Sequence, residues 1–92
     1  IFTLCIHFAW AQEPNATLAG KVLNEQGKPL ELVNVFVLET AQGTTTNAQG
    51  EFKLSLPPGK TYSVRFQYLG YQTIQRNIKP RPGEEIKLEI RL

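Results

Sequence analysis

The sequence predicts an all-β domain that folds as an antiparallel sandwich or small barrel of six to seven strands. Apolar residues recur with a period of two or in short runs, and Gly, Pro and Asn clusters separate these segments. No segment after the N-terminal run has the 3.6-residue apolar period of a helix. The chain has 92 residues, 41% hydrophobic and 20% charged, a composition typical of one folded domain.

The first half of the domain is expected to contain three strands. Residues 18–23 form the first, and a polar turn over 24–29 follows. Residues 33–40 are β-branched and nearly all apolar, which favours a strand buried in the middle of a sandwich. Residues 44–46 form a short third strand, and residues 47–50 turn the chain.

The second half contains the clearest alternation. In residues 51–56, every second residue from Phe52 onward is predicted to face inward, and in residues 62–68 every second residue from Tyr62 onward. Proline-rich loops at 57–60 and 80–83 end strands, because proline cannot donate to the backbone ladder. Strands over 71–78 and 85–92 complete the set. Six aromatic residues are predicted to dominate the core: Phe36, Phe52, Tyr62, Phe66, Tyr68 and Tyr71.

The N-terminal run, residues 1–11, is predicted to be the C-terminal part of a signal peptide. It is apolar, too short to span a ~30 Å hydrocarbon core, and it ends in small residues at Ala9 and Ala11, before Gln12. The alternatives are a buried first strand, or lipidation at Cys5, which Leu4 disfavours because that processing needs a small residue before the Cys. Residues 12–17 are then a flexible lead-in, and residues 18–92 form the domain.

The reactive residue types are concentrated in that N-terminal run. Cys5, His7 and Trp10 are the only residues of their kinds, and the chain has no Asp. A catalytic triad needs a His or an equivalent base, and zinc sites use Cys, His and carboxylates, of which only carboxylates remain after residue 11. We therefore expect residues 12–92 to have no catalytic residue, bound metal or cofactor. The adjacent pair Glu84 and Glu85 is interpreted as a solvated turn. A net charge of +2 also disfavours a nucleic-acid partner.

Several short motifs resemble, in order and spacing, the carboxypeptidase-regulatory-like domain, a transthyretin-like Greek-key β-sandwich. They are AGKV at 19–22, EQGKPL at 25–30, VNV at 33–35, GTTTN at 43–47, GEF at 50–52 and LGY at 69–71. The resemblance covers residues 18–92. That family more often has a small residue where this chain has Glu31 and Leu32. The expected fold-determining turn residues are Gly20, Gly27, Gly50, Pro58, Gly59 and Gly70.

The resemblance implies a non-catalytic module, exported to the periplasm or the periplasmic face of the outer membrane of a Gram-negative bacterium. In one frequent context it is the N-terminal domain of a TonB-dependent receptor that takes up glycans. Its expected partners are other domains of the parent chain or an envelope protein, without membrane insertion of its own. A carbohydrate-binding module and an accessory domain of a zinc metallocarboxypeptidase are the alternatives. Thr44, Thr45 and Thr46 form a polar segment, the candidate edge where a partner strand could add.

Overall fold

The computed structural model describes residues 13–92, which form seven β-strands. The predicted signal segment and its cleavage residues Ala9, Ala11 and Gln12 lie outside the described residues. The strands are β1 (Ala16–Leu23), β2 (Asn34–Val37), β3 (Gly43–Thr45), β4 (Glu51–Leu56), β5 (Tyr62–Gln67), β6 (Ile74–Ile78) and β7 (Glu85–Arg91). Within this part of the chain, no helix is long and apolar enough to cross a membrane.

The strands form two sheets, which confirms the predicted all-β sandwich. One sheet has the order β4-β1-β7, and the other has the order β3-β2-β5-β6. Four of the pairings are antiparallel, as expected, but β1 and β7 pair in parallel, with Leu18 opposite Ile86. A parallel pair needs a long crossover connection, and here the five intervening strands provide it. Local sequence patterns do not encode that choice.

The core lies between the sheets and follows the alternation in the sequence. Along β4 and β5, every second residue is buried. Phe52 of β4 and Phe66 of β5 meet edge to face across the core, with ring centroids 5.4 Å apart and planes at 66°. Burying each aliphatic or aromatic side chain contributes roughly 1.5–3 kcal/mol. These opposed rings therefore join the two sheets.

The aromatic prediction is correct for only part of the set. Phe52, Tyr62 and Phe66 are buried, and Tyr68 packs partly buried against the core. Phe36 and Tyr71 are half-buried and lie outside the core cluster, so their placement in the core was wrong. In β2 the inward positions belong to valines on either side of Phe36, which therefore faces outward. The ring of Tyr71 instead packs at a tilt on that of Tyr68, with centroids 5.6 Å apart.

Three strand boundaries differ from the expectation, and a hydrogen bond beside each boundary accounts for the difference. β1 begins at Ala16, inside the predicted flexible lead-in, and Asn15 Nδ2 donates to Ser55 Oγ at 3.2 Å. β2 ends at Val37, whose carbonyl accepts a turn bond from Thr40 N–H. β6 begins only at Ile74, because residues 68–71 form a hydrogen-bonded turn.

Candidate functional site

The described residues contain little that resembles a catalytic centre. No group of three or more His, Cys, Asp or Glu side chains lies close enough to hold a metal ion within residues 13–92. In the same residues, every buried side-chain N or O atom has a hydrogen-bond partner. Glu84 and Glu85 do not act as a pair: Glu84 caps the N–H of Arg81 at 2.9 Å, and Glu85 lies 3.4 Å from Lys87.

Glu39 has a shifted pKa, but its surroundings indicate a structural role. Its carboxylate accepts a hydrogen bond from the backbone N–H of Ser63 at 2.7 Å. That bond favours the charged form, and it holds the pKa of Glu39 below its ordinary value of 4.5. The contact joins the turn after β2 to the start of β5, so the carboxylate stabilises the connection between two neighbouring strands.

The polar segment predicted as an edge does lie at the edge of a sheet. β3 pairs only with β2 in the four-stranded sheet, and Thr44 is opposite Val35. Val37 N–H donates to the carbonyl of Gln42 at 3.0 Å, which sets the phase of the antiparallel ladder. Since hydrogen-bonded pairs alternate in such a ladder, the backbone groups of Thr44 point toward β2, while those of Gly43 and Thr45 point away from the sheet.

Thr46 belongs to the interior rather than to this edge. Its side chain is 2% exposed. Its hydroxyl donates to the carbonyl of Leu30 at 2.6 Å and accepts from the N–H of Val33 at 3.0 Å. Its backbone N–H and carbonyl bond Val33 and Leu32. With all of these groups paired, Thr46 has nothing to offer a partner strand, and the candidate edge becomes Gly43–Thr45. Gly43 lies outside the edge predicted from the sequence, although glycine beside a polar strand is a recognisable signal.

Two concave surfaces flank β3. The larger groove, of about 800 Å³, is lined mainly by outward-facing residues of the three-stranded sheet together with Thr44 and Thr45. Its charged residues are Lys21, Glu51, Lys53, Lys87 and Glu89. The smaller groove, of about 440 Å³, lies on the outer face of the four-stranded sheet and contains Phe36, Gly43, Thr44 and Thr45. Both grooves therefore meet at the same strand.

Five of the six predicted turn residues lie in turns or loops, but Gly20 lies inside β1, so its prediction as a turn residue was wrong. Two of the glycines are fixed by close packing. Gly50 has a φ of 75°, and a Cβ there would lie 2.6 Å from the carbonyl oxygen of Val22. A Cβ on Gly20 would overlap the carbonyl oxygen of Leu88 across the parallel pair. Gly27, Gly59 and Gly70 also have positive φ angles, with open space where a Cβ would be, and Pro58 is half-buried in the loop before Gly59.

These features define a small two-sheet β-sandwich domain whose distinctive surface is an uncharged strand edge between two grooves. The chain belongs to the CarboxypepD_reg-like domain family, whose sequence profile matches residues 18–92. This match confirms the family that the sequence motifs suggested.

Two curated relatives are TonB-dependent receptors from Formosa agariphila. The chain is 33% identical over 75 residues to TonB-dependent receptor P39 and 31% identical over 81 residues to TonB-dependent receptor P3. The matches cover 82% and 87% of this chain, but the chain spans only 7% and 8% of the two relatives. The shared part is thus one small domain of each receptor.

Solved structures share the fold. The dioxygenase domain of a dioxygenase carbohydrate-binding protein fusion from Streptomyces sp. SirexAA-E superposes with a TM-score of 0.65 at 18% identity, covering 89% of this chain and 82% of that one. A putative carbohydrate binding protein from Bacteroides uniformis superposes with a TM-score of 0.58 at 20% identity, covering 85% and 41%. Because identities this low show fold alone, the surface of this chain must be interpreted from its own residues.

Proposed function

We propose that this chain is a non-catalytic interaction module, exported to the periplasmic side of the outer membrane as part of a larger TonB-dependent receptor for nutrients such as glycans. The observation that carries the proposal is the family match, together with receptor relatives in which the matching part is one small domain. Residues 1–11 would direct export and be removed after Ala11. Its partners would then be other domains of the receptor or an envelope protein.

The surface chemistry supports binding rather than catalysis. Within residues 13–92 the structure has no cluster of candidate metal ligands. The pKa shift of Glu39 is explained by a hydrogen bond within the fold, so it does not mark an active site. β3 lies at the edge of the four-stranded sheet and pairs only with β2, and exposed strand edges are common sites of protein recognition.

A carbohydrate-binding module has less support. Stacking of a sugar would need two or three exposed aromatic rings on one face. On the outer face of the four-stranded sheet, the described residues provide Phe36, which is half-buried. Tyr68 and Tyr71 pack on each other beside a turn and are also half-buried. The third alternative, an accessory domain beside a peptidase, has no support from the receptor relatives.

The proposal is tested in the bacterium by deleting codons 18–92 from the gene that encodes this chain. We expect a receptor of normal abundance in the outer membrane and slower growth on the glycan that the receptor imports. Membrane fractionation with a C-terminal epitope tag measures abundance, and a growth panel on defined glycans measures uptake. Normal growth on every glycan, or a tagged product that is absent from the outer membrane of the undeleted strain, would contradict the proposal.

A further inference from the structure

Within residues 13–92, the edge of β3 has a combination of three properties that no other outer strand has. It carries no charged side chain, it presents outward-pointing backbone groups at Gly43 and Thr45, and a groove lies on each side of it. Proteins commonly protect free edges with charged residues, which discourage pairing with other chains. The other outer strands carry such residues: β4 has Lys53, β6 has Arg76, and β7 has Lys87.

We infer that this edge binds an extended segment of a partner protein, which adds to the four-stranded sheet as a fifth strand. The inference rests on the proposed function and specifies the kind of partner that the module recognises. The N–H and carbonyl groups of Gly43 and Thr45 supply four backbone hydrogen bonds to the added strand. Such bonds replace bonds to water and each contributes modestly, so the side chains of the added strand must provide the remaining affinity.

The two grooves determine which side chains fit. In an added strand, the residues opposite Gly43 and Thr45 lie on the outer face of the sheet, because side chains alternate between faces. Gly43 has no side chain there, and a Cβ at that position would be 3.3 Å from Cβ of Phe36. The missing side chain leaves the neighbouring Phe36 accessible from the edge. Apolar residues at these positions of the partner therefore contact the ring.

The intervening residue of the partner, opposite Thr44, lies on the inner face of the sheet, because Thr44 is paired with the buried Val35. The larger groove beside Thr44 has no excess of charge to attract a charged residue. Lys87 forms an ion pair with Glu85, and the two remaining cations of the groove lining are balanced by its two carboxylates. An uncharged residue therefore suits this position, and the preferred segment has apolar residues at alternate positions in extended form.

The inference is tested by amide hydrogen exchange, measured by NMR on the ¹⁵N-labelled 92-residue chain. The probe is the peptide acetyl-Thr-Val-Thr-Val-Thr-amide, and its counterpart has Lys in place of both Val residues. In the free chain we expect the amides of Gly43 and Thr45 to exchange fast, and the amide of Thr44 to be protected by β2. In excess valine peptide, exchange at Gly43 and Thr45 should slow about tenfold or more, while exchange at Thr44 is unchanged.

Matched proline variants connect binding to the edge. Thr45→Pro removes an outward-pointing N–H without breaking a bond to β2, and it should weaken peptide binding about tenfold or more. Asn77→Pro is the control, because it makes the same change at the opposite edge of the sheet. The hydrogen bond from Leu38 N–H to Ser63 O fixes which residues of β5 face β2, and this alternation leaves the backbone N–H of Asn77 pointing outward from β6. Its peptide affinity should match that of the unmodified chain. Circular dichroism checks that both variants fold.

Four results would overturn the inference. They are unchanged exchange at Gly43 and Thr45 with the valine peptide, equal binding of the lysine peptide, equal loss of binding in the two proline variants, and protection that rises with chain concentration without peptide. The last result would mean that a second copy of the chain occupies the edge. None of these results depends on the parent receptor, so the growth experiment can succeed or fail independently.

Discussion

Gly50 provides the sharpest test of how the turns of this domain determine its stability. Replacing Gly50 with alanine places a residue with a Cβ at a φ of 75°, which costs about 1–2 kcal/mol for an L-amino acid. The new Cβ also lies 2.6 Å from the carbonyl oxygen of Val22. That oxygen accepts from the N–H of Leu30 at 2.9 Å, while the N–H of Val22 donates to Gly50 at 2.8 Å. Separating the backbones weakens both bonds, at a further cost of about 1–2 kcal/mol.

Gly27→Ala is the matched control. Gly27 has a φ of 79°, but no atom lies within 4 Å of the position that its Cβ would take. It therefore incurs only the conformational cost, so Gly50→Ala should be less stable than Gly27→Ala by about 1–2 kcal/mol. Urea unfolding followed by circular dichroism measures the difference, which corresponds to a midpoint lower by about 1–2 M at a slope of ~1 kcal/mol/M. Equal midpoints for the two variants would refute the packing argument.

Three further substitutions test individual hydrogen bonds. Thr46→Val keeps the shape of the side chain but leaves two backbone groups unpaired, so it should lower the free energy of unfolding by about 2–3 kcal/mol. The control Thr45→Val should change that free energy by less than about 0.5 kcal/mol. Equal urea midpoints for these two variants would contradict the interior role of Thr46. Tyr62→Phe removes a 2.7 Å hydrogen bond to the carbonyl of Pro57 and should lower the free energy of unfolding by about 1 kcal/mol. An unchanged urea midpoint would contradict a stabilising role for that bond. Glu39 has a lowered folded-state pKa, so its stabilising bond to Ser63 is present above the ordinary pKa and is lost as pH falls through the folded-state value. Glu39→Gln should therefore have a lower urea midpoint than the unmodified chain at pH 7, and the two midpoints should converge in acid. A difference that stays constant with pH would contradict a stabilising role for the carboxylate charge.

Alternation predicted the parts of the fold in which one face of a strand is apolar and the other polar. In β4 and β5 the pattern is unambiguous, and Phe52, Tyr62 and Phe66 are buried as expected. In β2 it is ambiguous, because Val35, Phe36 and Val37 are all apolar and either face could be inward. The strand pairing decides, and it buries the smaller valines. Size and hydrophobicity alone therefore gave the wrong position for Phe36.

Long-range contacts account for the rest. Nothing local to β1 or β7 specifies that they pair in parallel, since that depends on the path of five intervening strands. The role of Thr46 is equally hidden, because its hydroxyl bonds Leu30 and Val33, which lie 16 and 13 residues earlier. A threonine in a run of three threonines looks like a solvent-exposed strand residue. Only the folded chain distinguishes it from Thr44 and Thr45.

Both of these differences strengthen the case for the β3 edge. The buried hydroxyl of Thr46 fixes the end of β3 against the segment before β2, so a partner strand meets an edge that is already ordered. Binding to an ordered edge avoids part of the entropy cost of fixing a loop. Phe36, which faces outward rather than into the core, supplies an apolar contact beside Gly43. A polar run of threonines alone would offer backbone hydrogen bonds without selectivity, whereas an ordered edge beside an accessible ring can select among extended segments.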